Sequence, residues 1–170
     1  MGAAAWCAVF AALHLFWAVG GTAGLASSAG QALAERRPAG FVVFGLFGVA
    51  ALLLAGIALV IVATGGIASE RLSRVAGVVL AVVGVALVVR GVALEVLLAT
   101  DVGGLRAAVG PLESRWSLAL WNPWFAIGGA LFLCAAIRVR RTRRRVSSSR
   151  LSSTGSAAQL RPGDPGGKGP

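Results

Sequence analysis

Hydrophobic residues in this chain come in four long runs separated by short polar stretches. A transmembrane helix needs about 20 apolar residues to cross roughly 30 Å of hydrocarbon. Runs at about residues 3–25, 40–64, 75–98 and 118–137 meet that length, and the third carries Arg90 and Glu95 inside it. Barrel strands alternate apolar and polar positions over about 10 residues. The continuous runs here predict helices. The connections at 27–39, 65–74 and 100–117 hold most of the loop glycine and proline, together with Glu35, Arg36, Arg37, Glu70, Arg71, Arg74, Asp101, Glu113 and Arg115. The pattern predicts an all-α integral membrane four-helix bundle. It spans residues 1–137 and is followed by a disordered basic C-terminal tail over 138–170.

Small residues predict where the helices touch. In lipid, close packing replaces the hydrophobic drive between helices, so glycine and alanine mark contact faces. Gly77, Gly84 and Gly91 lie seven apart, with Ala81 between the first two. Heptad spacing places them in one stripe, and four more residues reach Glu95. Arg90 lies about 100° from Gly91 around the helix, at the edge of that stripe. In the first run Ala3, Cys7, Phe10, His14, Trp17, Gly21 and Gly24 form a matching row, and Gly20 and Gly24 make a GxxxG pair. In the fourth, Asn122 and Gly129 are seven apart, and Gly128 adjoins them. The second run offers Gly45, Gly48 and Gly56 but no ionisable group, so it reads as structural.

Composition agrees with a membrane chain. The 170 residues are 57% hydrophobic and only 13% charged, against about 25% charged in soluble domains. Fifteen of sixteen basic residues are arginine and tyrosine is absent, which suggests a GC-rich bacterial genome. The net charge of +10 is concentrated, since nine basic residues lie from Arg138 onward. A nucleic-acid surface would be a folded basic face with base-reading or aromatic groups. A basic tail beside a span instead suits anionic lipid, so no nucleic acid is expected as a partner.

The distribution also predicts orientation. Eleven Lys and Arg residues fall on the side of the tail and the 65–74 loop, and four (Arg36, Arg37, Arg106 and Arg115) on the other. The more basic side belongs in the cytoplasm. Both termini are then cytoplasmic and the protein is a multi-pass component of the cell membrane. No Lys or Arg precedes the first run, whereas a signal peptide has a positive n-region. The run is therefore expected to be a retained span.

Polar residues inside spans are the candidates for function, because each is costly in hydrocarbon. His14, Trp17, Arg90, Glu95, Trp121 and Asn122 form the candidate intramembrane site, and all are expected in the outer half of the bundle. A single histidine cannot supply a bis-histidine haem site, and zinc needs three or four ligands. His14 therefore reads as an interhelical hydrogen bond or as a titrating group. Arg90 and Glu95 are five apart, about 140° around the helix, and poorly placed to pair with each other. They read as bundle-locking residues, or as an anionic head-group site and a proton acceptor. Trp116 suits an interfacial belt, while Trp121 and Trp124, with Asn122-Pro123 between them, read as belt or as part of a ligand cage. Asn122 is expected to cap the fourth helix, with Pro123 at its first position. Cys7 and Cys134 read as small packing residues. No nucleophile–base pair, carboxylate dyad or phosphate loop is visible, so no catalytic residue, metal or cofactor is implied.

On three stretches the chain resembles a known family. These are His14-x-x-Trp17-Ala-x-Gly20-Gly21, Arg90-Gly91-x-x-x-Glu95, and Trp121-Asn-Pro-Trp124-Phe followed by Gly128-Gly129. They are similar to the small, largely actinobacterial integral membrane proteins grouped as domain of unknown function 3995. The resemblance covers about residues 3–137. It implies a multi-pass membrane protein and no assigned activity. The expectation is a non-enzymatic accessory or interaction protein working on a membrane-protein partner or on lipid. The alternative is a carrier of a small ligand, lipid or ion that uses the polar site.

Overall fold

The structure is a computed structural model that describes residues 1–65 and 69–159, with side chains through Arg144. Every regular element among the described residues is helical. Four longer helices form the body. These are α1 (Gly2–Ala18), α4 (Val49–Thr64), α5 (Glu70–Ala99) and α8 (Asn122–Gln159). A π-helical stretch, Phe41–Gly48, runs straight into α4, giving one continuous helix Phe41–Thr64 of 24 residues. Short helices α2 (Leu25–Ala29) and α3 (Gln31–Arg36) fill the first connection. Helices α6 (Leu105–Val109) and α7 (Pro111–Trp116) fill the third.

Three helices are long and apolar enough to cross a membrane: Phe41–Thr64, Glu70–Ala99 and Pro111–Arg144. The fourth body helix, α1, is also apolar but has 17 residues, a rise of about 25 Å. The apolar pattern of the first run predicts a helix to residue 25. It stops at Ala18 because the next residues favour a turn. Gly20 has φ +116° and Gly24 φ +76°, values that suit glycine. The Trp17 indole N–H then donates to the Ala23 carbonyl at 2.7 Å and pulls the chain back on itself. Gly20, Gly21 and Gly24 therefore shape a turn, and the expected GxxxG helix face does not form.

The fourth helix also begins differently from expectation. Pro111, after Gly110, takes the first helical position, where a missing N–H costs nothing. The chain then passes through a π-helical turn, Ser117–Trp121, directly into α8. Asn122 has helical angles (φ −67°, ψ −46°) and is no cap. Pro123 is thus inside a helix, where its ring crowds the carbonyl four residues back. The wider π turn immediately before it gives that carbonyl room. At its other end α8 continues without a break past Ile137 to Gln159. The expected boundary at 137 has no structural mark. No glycine or proline interrupts the chain between Gly129 and Gly155, and arginine is a good helix former. The rest of the expected tail, 160–170, lies outside the described residues.

The four helices pack in the cyclic order α1, α4, α5, α8, with α5 on α8 as the most extensive contact and α1 on α4 next. The glycine stripe of α5 makes the first of these possible. A Cβ on Gly84 would lie 2.9 Å from the Gly129 carbonyl oxygen, and one on Gly129 would lie 2.6 Å from that of Gly84. A Cβ on Gly91 would meet the Asn122 carbonyl at 2.7 Å, and one on Gly77 would meet Val139 at 3.3 Å. The two backbones are therefore in contact at Gly84 and Gly91, while at Gly77 the Val139 side chain stands between them. On the other pair, Gly56 of α4 faces the Cys7 sulfur, 3.2 Å from where its Cβ would be. Outward-facing side chains are large and apolar, among them Phe44, Leu52, Val82, Val89 and Ile127. Apolar surface on that scale suits lipid contact.

Both helix-end arginines in the connections have structural work. Arg37 donates to the carbonyls of Trp17 and Gly21 at the end of α1. Arg106 donates to the carbonyls of Leu98 at 2.6 Å and Ala99 at 2.7 Å at the end of α5. Each satisfies carbonyls that the helix leaves open and places positive charge at the negative end of the helix dipole. The first and third connections meet at one end of the bundle, where Glu113 accepts the Gln31 backbone N–H at 3.2 Å. At the opposite, basic end Arg143 pairs with Glu70 at 3.1 Å.

Candidate functional site

Towards the end that carries α2, α3, α6 and α7, aromatic rings fill the seam between α1 and α8. Trp6, Phe10, His14 and Trp17 follow one another at helical spacing along α1. The Trp6 ring stacks on Trp124 at 5.7 Å and meets Phe132 edge-on at 6.3 Å. Phe10 lies 6.4 Å from Trp121 and 5.6 Å from Phe125. Trp17 meets Trp121 edge-on at 6.0 Å. Gly128 makes room for the column, because a Cβ there would sit 2.4 Å from the Trp6 indole. Favourable aromatic pairs contribute about 0.5–1.5 kcal/mol each beyond buried area. In lipid, where apolar burial itself supplies little, such contacts carry much of the association.

His14 belongs to this column. It is 8% exposed and packs edge-on against Phe10 at 4.5 Å and against Trp17 at 5.2 Å. Its Nδ1 lies 2.9 Å from the Phe10 carbonyl oxygen. An N–H donated there leaves Nε2 as an acceptor in the neutral ring. Among the described residues His14 shares no hydrogen bond or ion pair with Arg90 or Glu95.

Most of the other candidates are likewise bonded within the protein. Trp17 is 1% exposed and is committed to Ala23. The Trp121 indole N–H donates to the Ser27 carbonyl at 2.9 Å, tying the first connection to α8. Asn122 is 2% exposed, and its amide donates to Glu95 Oε2 at 3.2 Å. That bond crosses the α5–α8 seam just beyond the Gly91 contact. Arg90 stands apart. Its guanidinium carbon lies 3.7 Å from the centroid of the Phe125 ring, a cation–π distance. Among the described residues no carboxylate comes within ion-pair distance of it. Arg90 and Glu95 thus both turn to α8, to different partners.

The structure therefore brings the candidates together as two groups and one single residue. His14, Trp17 and Trp121 share the aromatic column, Glu95 and Asn122 share one hydrogen bond, and Arg90 reaches the column through Phe125. Of the expected packing glycines, Gly77, Gly84, Gly91, Gly128 and Gly129 sit at helix contacts, while Gly20, Gly21 and Gly24 do not. Sequence reasoning passed over Trp6, whose N–H donates to the Trp124 carbonyl at 3.1 Å. Its position four residues before Phe10 was the available signal. It also missed Arg37 and Arg106, each of which follows closely on an apolar run. The Trp124 indole nitrogen is buried without an acceptor among the described residues.

Among the described residues no three His, Cys, Asp or Glu side chains gather as metal ligands would. Cys7 is buried against Gly56 and Cys134 is exposed on α8. Among the candidate site residues, the groups left without a hydrogen-bond partner among the described residues are the second nitrogen of His14 and the guanidinium of Arg90. The first can accept one hydrogen bond, and the second can bind an anion. No curated protein and no solved structure matches the chain. One family model does, over residues 7–132, described as a protein of unknown function, DUF3995. That match takes in the aromatic column from Phe10 onward, both arginine caps, the glycine stripe and the Glu95–Asn122 bond, and the chain belongs to that family.

Proposed function

We propose that this is a non-enzymatic, multi-pass protein of a bacterial cell membrane that acts as an accessory or interaction partner. The observation that carries the reading is how the candidate polar groups are used. Trp17, Trp121, Asn122, Glu95 and one nitrogen of His14 are engaged inside the bundle. A catalytic site would hold a nucleophile, acid or base free and aimed at a substrate. Here the polar atoms hold helices and connections together, leaving the outer surface as the part that meets other molecules.

In this reading both termini and the connection at 65–74 are cytoplasmic. The connections with α2, α3, α6 and α7 face outward. Arg138, Arg140, Arg141 and Arg144 lie at the cytoplasmic head-group level, where basic side chains attract anionic lipid. The two outward arginines that cap helices, Arg37 and Arg106, are retained against the charge bias because helix ends need them.

Single substitutions of His14, Glu95 and Asn122 test the reading. Each variant is purified in detergent, and its thermal unfolding is followed alone and with panels of lipids and metabolites. The proposal expects lowered stability with no ligand response that is lost selectively. A variant as stable as the parent that has lost its response to one small molecule would point to a carrier and sink the proposal. Reporter fusions at both termini and in the 27–39 connection test the topology.

A further inference from the structure

We propose that Arg90 is the phosphate-binding point of a phospholipid site, in an opening between the π-helical stretch Phe41–Gly48 that leads into α4 and the outer third of α5. The inference rests on the membrane placement proposed above.

The opening follows from how α5 meets its neighbours. Ala76, Leu80, Val83, Leu87, Arg90 and Leu94 recur at intervals of four and three, which places them on one face of the helix. Ala76 and Leu80 are buried, Val83, Leu87 and Leu94 are half-buried, and Arg90 is exposed. From Leu80 to Arg90 this face thus loses cover. The partner it loses is α4. Val49–Thr64 packs on both α1 and α5, whereas the π-helical Phe41–Gly48 leans on α1 and touches α5 little. The π-helical stretch also exposes Val43, Phe44 and Phe47, an apolar surface suited to acyl chains.

Depth and charge select the occupant. From Arg74 to Arg90 is 16 residues, a rise of about 24 Å. With Arg74 at the inner edge of a hydrocarbon layer about 30 Å thick, Arg90 lies about 6 Å below the outer edge. An arginine side chain spans that distance to the head-group level. One side of the guanidinium is covered by Phe125. The nearest acid along the helix, Glu95, is bonded to Asn122. A guanidinium without a counter-anion is costly at this depth, and its forked donors match phosphate oxygens. The anion available there in quantity is the phosphate of an outer-leaflet phospholipid.

The test uses delipidated full-length protein in detergent. Its thermal unfolding is followed with phosphatidylglycerol, with diacylglycerol of the same chains, and with inorganic phosphate. Phosphatidylglycerol is expected to raise the Tm of the parent protein while the other two do not. Arg90→Gln, checked for unchanged helicity and a single size-exclusion peak, is expected to need at least tenfold more phosphatidylglycerol for the same shift. Arg90→Lys keeps the charge and should retain part of the response. If Arg90→Gln does not fold, native mass spectrometry of the parent and Arg90→Lys proteins supplies the comparison, with phosphatidylglycerol retained over diacylglycerol and more weakly by the lysine variant. The proposal is overturned by an equal response in parent and variant, by diacylglycerol acting as well as phosphatidylglycerol, or by inorganic phosphate sufficing. Crosslinking from position 90 to a protein carboxylate in place of lipid also overturns it. Reporter mapping that put the α2–α3 connection in the cytoplasm would sink the placement and leave the lipid response standing, so the two failures are distinguishable.

Discussion

Gly129→Ala is the sharpest probe of how α5 and α8 associate. The added Cβ would lie 2.6 Å from the Gly84 carbonyl oxygen, 2.7 Å from the Val88 backbone nitrogen and 2.7 Å from Val88 Cγ2. Two of those three atoms are backbone, so no rotamer change relieves the contact and the helices must separate. Overpacking of this kind costs about 1–3 kcal/mol. Alanine returns up to about 1 kcal/mol through its better helix propensity. The net expectation is a loss of about 1–2 kcal/mol, or roughly five- to thirtyfold in the folding equilibrium. Gly40→Ala is the control, because none of the described residues lies within 4 Å of its Cβ position, and it should be neutral or slightly stabilising. Reversible unfolding in mixed micelles, followed by circular dichroism, gives both values. The double variant Gly84→Ala/Gly129→Ala adds a second check. One separation of the helices relieves both clashes, so its cost should fall below the sum of the singles. Gly129→Ala at parental stability, or strict additivity, would refute the close backbone contact.

Three further outcomes follow from the same contacts. Asn122→Leu and Glu95→Leu should each lower stability by about 0.5–1.5 kcal/mol, while Glu95→Gln, whose amide oxygen can still accept from Asn122, should lose less; unfolding in micelles ranks them. Arg106→Gln opens the carbonyls of Leu98 and Ala99, so hydrogen exchange should speed up selectively in the last turn of α5, with a stability loss of about 1 kcal/mol. A membrane-permeant maleimide should label Cys134, which is exposed, and spare Cys7, which is 1% exposed; peptide mass mapping after labelling the folded protein reads the difference.

The candidate site was partly legible in the sequence. The heptad spacing of Gly77, Gly84 and Gly91 identified the α5 contact face, since only a helix brings those positions into line. Gly20 and Gly24, at the same kind of spacing, form no helix face. Spacing within a sequence presumes a continuing helix, and the Trp17–Ala23 bond with positive φ at both glycines ends it. Asn122 read as a cap because proline follows it. The π turn at Ser117–Trp121 let the helix run through the proline, and freed the amide for Glu95. Trp6 went unnoticed because an apolar aromatic in a span looks like any lipid-facing residue until its partner helix is known.

The sequence by itself determined that the chain is helical, where its apolar segments lie and which α5 face carries small residues, because those properties depend on local composition and on the fixed 3.6-residue repeat. Only the tertiary structure decided what each polar group meets. It placed Glu95 on Asn122, Trp121 on Ser27 and Arg90 on Phe125. Those pairings join residues 27 to 94 positions apart along the chain, so they depend on which helices neighbour one another and at what height, information that no local pattern carries.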